Sequence, residues 1–382
     1  MDKIKIITIF GTRPEAIKMA PLVKKMEKEP FIESKICVTA QHRQMLDQVL
    51  DLFDIKPDFD LNIMKNKQSL TGITNRVLDG LEEIFKAEKP NLVLVHGDTT
   101  TTFAGALAAF YQKIKVGHVE AGLRTYDKYF PFPEEMNRKL TGAIADMHFA
   151  PTMGSKQNLL REGVNEKDIY ITGNTVIDAM EFTVDDNYTF NNSELNNISY
   201  DDKKVIMVTA HRRENWGNGI DNICKALKNI VEQNKDVEII YLVHLNPVVR
   251  DAVYKILGNT DRVHLLPPLD TKETHNLMNK CYMIMTDSGG LQEEAPHLGK
   301  PVLVLRNVTE RPEAVKAGTV RLVGTDFDKI VDEANSLIRD EDEYQEMSKS
   351  INPYGDGKAS GRIINAILEY FNIEHGKFEK FN

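Results

Sequence analysis

Short apolar runs alternate with helix-length amphipathic segments along most of this chain. In the first half, the runs typical of buried strands occupy residues 4–10, 34–39, 92–96, 115–119, 147–150 and 169–172. Helical patterns at 14–28, 70–86 and 101–111 lie between them. Continuous runs such as NLVLV indicate strands that are buried on both faces. The alternation therefore predicts a parallel sheet with helices on both sides.

The alternation stops at residues 183–204, a stretch rich in Asn, Asp, Ser and Tyr, and then resumes. The later apolar runs occupy residues 205–209, 237–243, 263–265, 283–286, 301–305 and 320–323. A turn-forming NPYGDG segment at 352–357 precedes a last helical pattern near 359–371. We therefore expect an α/β fold in which two Rossmann-like doubly wound domains face a central cleft. The expected boundaries are residues 1–180, residues 181–358, and a C-terminal helix in 359–382 that crosses back to the first domain.

Composition narrows the class of protein. A chain of 382 residues is long enough for two cores. Its net charge of −9 argues against a general nucleic-acid binder or a binder of anionic membranes, but permits a small anionic ligand. No run approaches the roughly 20 apolar residues of a membrane span, and the first residues lack the features of a signal peptide. Three scattered cysteines, each inside an apolar run, are typical of reduced thiols in a cytoplasmic protein.

The unusual polar residues follow the predicted strands, where parallel sheets bind their ligands. After the first strand, GTRPE at 11–15 predicts a helix N-terminus with Arg13 beside it and Lys18 one turn further on. Such a terminus can hold an anion, although a simple solvated turn would also fit. The segment is neither a GxGxxG fingerprint nor a P-loop, which disfavours nicotinamide and ATP.

Three acidic sites follow later in the same half. Asp98 and Glu120 each come directly after a buried strand, and Glu134 with Glu135 begins a helix after two prolines. Carboxylates in such positions can act as general acids or bases. Two other interpretations stay open. His96 with Asp98 and His118 with Glu120 have metal-ligand spacing, and the two glutamates could simply favour the helix dipole.

The second half carries groups suited to a diphosphate. His211 and Arg212 follow its first strand, and a glycine turn precedes an acidic helix in TDSGGLQEE at 286–294. Backbone amides at such a turn can bind phosphate oxygens, and a glutamate one turn later can accept ribose hydroxyls. A tight turn without a ligand is the alternative. The candidate binding residues here are Arg212, Ser288, Gly289, Gly290, Glu294 and Arg311.

Seven motifs in this order resemble one family at nearly full length. They are GTRPEAIKMAPLV at 11–23, VHGDTTT at 95–101, HVEAGLRT at 118–125, FPEE at 132–135, TAHRREN at 209–215, TDSGGLQEEAP at 286–296 and TERPE at 309–313. They are similar to those of the non-hydrolysing UDP-N-acetylglucosamine 2-epimerases of bacteria and archaea. Two positions depart from the family pattern. Tyr126 stands where a small residue is expected, and Trp216 where Leu or Ile is expected.

The resemblance implies a GT-B-like homodimer that needs no metal or redox cofactor. It implies interconversion of UDP-GlcNAc and UDP-ManNAc, with the product used for cell-surface polysaccharide. Residues matched to UDP contacts are Arg13, Lys18, His211, Ser288, Gly290, Glu294 and Arg311. The candidate catalytic residues are Asp98, Glu120 and Glu134, which would act at the sugar, and His211, which would assist departure of the diphosphate. Bacterial members have a second, regulatory UDP-GlcNAc site, which Gln41, Gln44 and His244 would line.

The chemistry explains why several acids are needed. The C2 proton of a hexosamine is not acidic, and the nicotinamide fingerprint that would permit oxidation is missing. Elimination of UDP to 2-acetamidoglucal, followed by re-addition, remains, and inversion then requires acid–base groups on both faces of the ring. A hydrolysing epimerase, a glycosyltransferase of the same fold and a UDP-sugar sensor stay as alternatives.

Overall fold

The computed structural model describes residues 3–41, 43–65, 68–374 and 378–381. The chain forms two compact units. The first comprises Met1–Phe182 together with Tyr354–Asn382, and the second comprises Thr183–Pro353.

Each unit has one parallel sheet. The strands of the first unit are β1 Ile4–Phe10, β2 Ile32–Val38, β3 Phe59–Asp60, β4 Leu92–His96, β5 Lys115–Val119, β6 Met147–Ala150 and β7 Ile169–Ile171. Those of the second unit are β8 Lys204–Thr209, β9 Val237–Leu242, β10 Val263–Leu266, β11 Met283–Thr286, β12 Val302–Val304 and β13 Val320–Leu322. The strand orders are β3-β2-β1-β4-β5-β6-β7 and β10-β9-β8-β11-β12-β13. Both sheets have the crossover at their first strand that defines a Rossmann-like topology.

Helices connect these strands. In the first unit they are α1 Arg13–Met26, α2 Arg43–Leu52, α3 Leu70–Glu88, α4 Thr100–Tyr111, α5 Glu134–Ile144, α6 Met153–Arg161 and α7 Thr175–Thr183. The second unit has α8 Ser193–Asn196, α9 Asn218–Gln233, α10 Pro247–Leu257, α11 Thr271–Lys280, α12 Gly289–Glu294, α13 Pro312–Ala317, α14 Phe327–Arg339 and α15 Glu341–Ser348. The last helix, α16 Ala359–Tyr370, belongs to the first unit. Short 3₁₀ turns occupy Glu166–Asp168, Arg213–Asn215 and Ala295–Leu298.

The sheet of the first unit is covered on both faces. Strand residues such as Ile6 and Leu94 pack with α1 and α16 in one apolar cluster. Their neighbours Ile7 and Val93 pack with α3 and α4 in another. The predicted α/β class with doubly wound Rossmann-like sheets is therefore confirmed.

Some local expectations differ from the structure. β2 begins two residues earlier than predicted, and β3 was not predicted because two residues are too few to show a period. The polar stretch 183–204 packs as part of the second unit, with Phe190 and Leu195 buried and α8 inside it.

Three features of the described residues bear on function. None of the helices in that part of the chain is long and apolar enough to cross a membrane. The same residues contain no group of three or more His, Cys, Asp or Glu side chains arranged to hold a metal ion. All three cysteines are buried free thiols.

Candidate functional site

The turn between β1 and α1 is built around a buried carboxylate. Glu15 accepts hydrogen bonds from the backbone N–H of Gly11 (3.1 Å) and of Thr12 (2.8 Å). It also accepts from the Thr99 hydroxyl at 2.7 Å, so it ties this turn to the loop after β4. A Cβ at Gly11 would lie only 2.0 Å from the Thr39 hydroxyl, which requires glycine there. The turn presents Arg13, which has no ion pair with any of the described residues.

Glu120 directly follows β5 in a strained backbone conformation. Its φ is +62°, a left-handed value that non-glycine residues rarely adopt outside functional sites or tight turns. Its carboxylate pairs with Lys18 from α1 and accepts a hydrogen bond from the Asn174 amide at 2.8 Å. The predicted cation and the predicted acid are therefore in direct contact.

The neighbouring histidines are buried in the sheet. His96 Nε2 lies 3.8 Å from Glu120 Oε2, and burial lowers the pKa of His96 to about 4. His118 Nε2 contacts the Gly97 carbonyl oxygen at 2.7 Å, and burial lowers its pKa to about 3. Both rings are neutral at pH 7, as expected for core histidines.

Asp98 contacts an arginine that the sequence did not single out. Arg138, on α5, forms an ion pair with Asp98 and contacts Glu135 at 3.3 Å. The Asn137 amide donates to the Asp98 carbonyl oxygen at 2.9 Å. α5 therefore holds the loop after β4 in place.

The two glutamates at the start of α5 have different environments. Glu135 is buried and accepts the N–H groups of Thr125 (3.1 Å) and Tyr126 (3.0 Å), so it organises the preceding loop. Oε2 of Glu134 is buried and has no hydrogen-bond partner among the described residues. Of the two, Glu134 is the one with an oxygen left for a ligand.

In the second unit, the loops after β8 and β11 meet at Asp287. Its Oδ2 accepts the backbone N–H of His211 and of Arg212, both at 2.7 Å, and its Oδ1 lies 3.3 Å from His211 Nδ1. Burial lowers the pKa of His211, while the Asp287 charge opposes that shift. Two predicted ligand groups are thus held by one buried acid. Trp216, the second departure from the family pattern, donates from its indole N–H to the His211 carbonyl oxygen at 3.1 Å.

The glycine turn before α12 lies beside Arg311. A Cβ on Gly289 would be 3.8 Å from Arg311 Nη2, and one on Gly290 would be 3.4 Å from Glu294 Oε1. Arg311 pairs with the buried Glu293. Glu294 contacts His275 Nε2 at 3.5 Å. The predicted residues of this turn therefore form one polar cluster, in which Ser288 precedes the helix.

The predicted regulatory residues are divided between the units. Gln41 accepts from the Thr101 hydroxyl at 3.2 Å, and Gln44 is exposed on α2. The His244 ring stacks on His211 with centroids 5.3 Å apart and an angle of 12°. A candidate regulatory residue thus contacts a candidate catalytic one.

Sequence reasoning missed Glu15, Arg138 and Asp287. Each acts through a partner distant in the chain: Arg138 is 40 residues from Asp98, and Asp287 is 76 residues from His211. These three residues could have been noticed because they lie inside or beside the motifs. A single sequence does not show which distant residues they contact.

The fold is that of an α/β protein of the GT-B type, with the three candidate acids in one unit and the candidate diphosphate-binding residues of the glycine turn in the other. A family model described as UDP-N-acetylglucosamine 2-epimerase matches residues 24–368. The chain belongs to the UDP-N-acetylglucosamine 2-epimerase family.

Individual relatives cover the chain almost completely. The UDP-N-acetylglucosamine 2-epimerase of Bacillus subtilis is 58% identical over 381 residues, which span 100% of this chain and 99% of that protein. The Escherichia coli K12 protein of the same name is 59% identical over 369 residues, or 95% of this chain and 98% of that protein. The solved UDP-GlcNAc 2-epimerase of Neisseria meningitidis, bound to UDP-GlcNAc, has a TM-score of 0.82 and 49% identity, covering 96% of this chain and 100% of that one.

Proposed function

We propose that this protein interconverts UDP-GlcNAc and UDP-ManNAc by inverting C2 without releasing free sugar. The observation that carries the proposal is the set of three carboxylates, Asp98, Glu120 and Glu134, at the carboxyl edge of one sheet in a chain of this family. One acid would suffice for a simple transfer of the sugar, whereas inversion at C2 needs proton transfer on both faces of the ring.

The reaction proceeds by elimination and re-addition. A carboxylate removes the C2 proton while the C1–O bond breaks, so that a C1=C2 double bond forms and UDP leaves with the electron pair. UDP then adds back to C1 of 2-acetamidoglucal as an acid protonates C2 from the other face. Lys18 and Arg138 form ion pairs with Glu120 and Asp98, so each of these two carboxylates has a cation beside it.

The departing diphosphate gains negative charge and needs fixed positive partners. Arg13, Arg212 and Arg311 supply guanidinium groups, and His211 can supply an imidazolium. Ser288, Gly289 and Gly290 would add donors to the phosphates, and Glu294 would accept the ribose hydroxyls.

Product analysis tests this function. Incubation with UDP-GlcNAc in heavy water should give UDP-ManNAc with deuterium at C2, and traces of UDP and 2-acetamidoglucal should accumulate at long times. Free ManNAc would indicate a hydrolysing enzyme, and transfer to an acceptor would indicate a glycosyltransferase. A product that keeps the original C2 hydrogen would exclude the elimination scheme.

The three carboxylates are tested by isosteric amides. Asp98→Asn, Glu120→Gln and Glu134→Gln should each lower kcat at least about a hundredfold, the lower range for general acid–base groups, while UDP binding is kept. Glu166→Gln is the matched control, because Glu166 is an exposed partner of Lys156 in the same unit. A carboxylate variant with full activity would remove that residue from the mechanism.

We further propose a homodimer, regulation by UDP-GlcNAc and a cytoplasmic location. Exposed Phe110 and Tyr111 at the end of α4 favour a homodimer that covers them. Contact between His244 and His211 offers a route by which UDP-GlcNAc at a second site could activate the enzyme. Three free cysteines fit a reducing cytoplasm, where UDP-ManNAc would supply polysaccharide synthesis.

A further inference from the structure

Asp287 lies in the turn after β11 and is fully buried. Three donors converge on its Oδ2: the backbone N–H groups of His211 and Arg212, each at 2.7 Å, and the Asn215 amide at 3.1 Å. That amide also donates to the Leu305 carbonyl oxygen at 3.0 Å. The carboxylate is therefore fixed in position and in rotation.

The second oxygen of the same carboxylate is in a different situation. Oδ1 is buried and has no hydrogen-bond partner among the described residues, and it lies 3.3 Å from His211 Nδ1. A buried carboxylate oxygen is stabilised by a donor, and the imidazole N–H is at the right distance to become one. The half-exposed His211 ring can rotate, whereas Asp287 cannot.

We propose that Asp287 is the positioning residue of His211: its Oδ1 holds the Nδ1–H of the imidazole and leaves Nε2 as the nitrogen that acts on the substrate. This inference rests on the proposed function, in which His211 assists departure of the diphosphate. The arrangement selects one tautomer and one orientation of the ring. A buried acid that is hydrogen-bonded to a catalytic histidine has the same role in other enzymes.

The charge of Asp287 has a second effect. Burial, stacked His244 and adjacent Arg212 all lower the pKa of His211, and the Asp287 carboxylate is the group that raises it. Asp287 thus partly offsets the lowering of the His211 pKa and favours the imidazolium, the form that best stabilises the leaving diphosphate.

The first test reads His211 directly. Long-range ¹H–¹⁵N NMR spectra of the whole protein, assigned by the signals lost in His211→Asn, should show the neutral ring protonated at Nδ1. In Asp287→Asn, the new amide can turn its NH₂ toward Nδ1, so the proton should move to Nε2 and the pKa of His211 should fall by at least about one pH unit.

Glu273→Gln is the matched control for loss of a buried charge. Glu273 is a buried carboxylate of the same unit that accepts the Asn191 N–H at 2.8 Å. The substitution Glu273→Gln should leave the tautomer and the pKa of His211 unchanged. An Nε2–H tautomer in the wild-type protein overturns the proposal even if Asp287→Asn does not fold, and so does an unchanged titration in a folded Asp287→Asn.

A double-mutant cycle measured by enzyme kinetics provides the second test. Asp287→Asn should lower kcat at least about tenfold, shift its pH profile with the His211 titration and change KM less. The same substitution made in His211→Asn should have an effect below about twofold, because the two residues act as one unit. Equal losses in both backgrounds would contradict the proposal. A wild-type protein without epimerase activity would refute the proposed function instead, and the NMR test would still decide the Asp287–His211 contact.

Discussion

At the scale of single residues, Tyr126 occupies a backbone conformation that favours glycine. Its φ is +63°, and the family pattern places a small residue here. Two contacts hold it: its N–H donates to Glu135, and its hydroxyl donates to Asn158 Oδ1 at 2.7 Å. The side-chain hydrogen bond thus offsets the cost of the strained backbone.

The hydrogen bond and the backbone strain together predict which substitution of Tyr126 lowers the stability more. Tyr126→Phe keeps the strain but loses the hydrogen bond, a loss of about 0.5–1.5 kcal/mol. Tyr126→Gly loses the same bond and gains chain entropy on unfolding, but relieves left-handed strain of about 1–2 kcal/mol. Tyr126→Phe should therefore be the less stable of the two in urea unfolding. A markedly less stable glycine variant would show that the backbone here is not strained.

At the scale of elements, Glu15 joins the N-termini of two helices. It caps α1 through Gly11 and Thr12, and it reaches α4 through the Thr99 and Thr102 hydroxyls at 2.7 and 3.2 Å. A negative charge is favourable at both termini. Burial nevertheless raises the pKa of Glu15 above its ordinary value of 4.5, and these hydrogen bonds only partly oppose the rise.

The raised pKa fixes the sign of a pH effect on stability. An acid with a higher pKa in the folded protein binds more protons there, so its contribution to stability is greatest below pH 4.5 and falls as the pH rises through the folded pKa. Glu15→Gln cannot titrate. The difference in free energy of unfolding between the wild type and this variant should therefore become smaller between about pH 4.5 and 7. Urea unfolding across that range measures it. A loss that grows with pH would mean that the ionised form is the favoured one.

The elements themselves were the most predictable part of the molecule. The bounds of β1, β4, β5, β6 and β11 agree with the apolar runs, because a polar or turn residue directly follows each of these buried strands. The candidate ligand-binding and catalytic residues could be placed at the ends of strands for the same reason. The partners that orient these residues could not be predicted. Arg138 on α5 contacts Asp98, and Asp287 contacts His211, because distant segments of the chain pack together, and no local period encodes such packing.

At the scale of the whole molecule, the first unit is made from two separated stretches of chain. α16 packs against α1 and contributes Ile363, Ile367 and Leu368 to the apolar cluster of that unit. Its first turn is held by buried Asp178, which accepts the N–H groups of Ala359 (3.0 Å) and Ser360 (2.7 Å). The C-terminal helix is thus integral to the first core.

Removing that carboxylate should loosen the helix. Asp178→Ala leaves two buried N–H groups without an acceptor and should lower the free energy of unfolding by about 1–3 kcal/mol. Hydrogen exchange should show the largest loss of protection in α16. Glu27→Ala, which removes a partly exposed partner of Lys24, should change stability by less than about 0.5 kcal/mol. Equal effects of the two substitutions would show that Asp178 does not anchor the helix.

Because the first unit is built from two separate stretches of chain, the two units are expected to complete folding in a definite order during translation. The ribosome makes residues 1–182 first, but their core waits for a helix that emerges only after the entire second unit. The segment Thr183–Pro353 is continuous, so it can complete its fold while the earlier stretch still exposes the apolar face of α1. We therefore expect the first unit to mature after the second, and nascent chains should need protection by chaperones over that face until α16 has emerged.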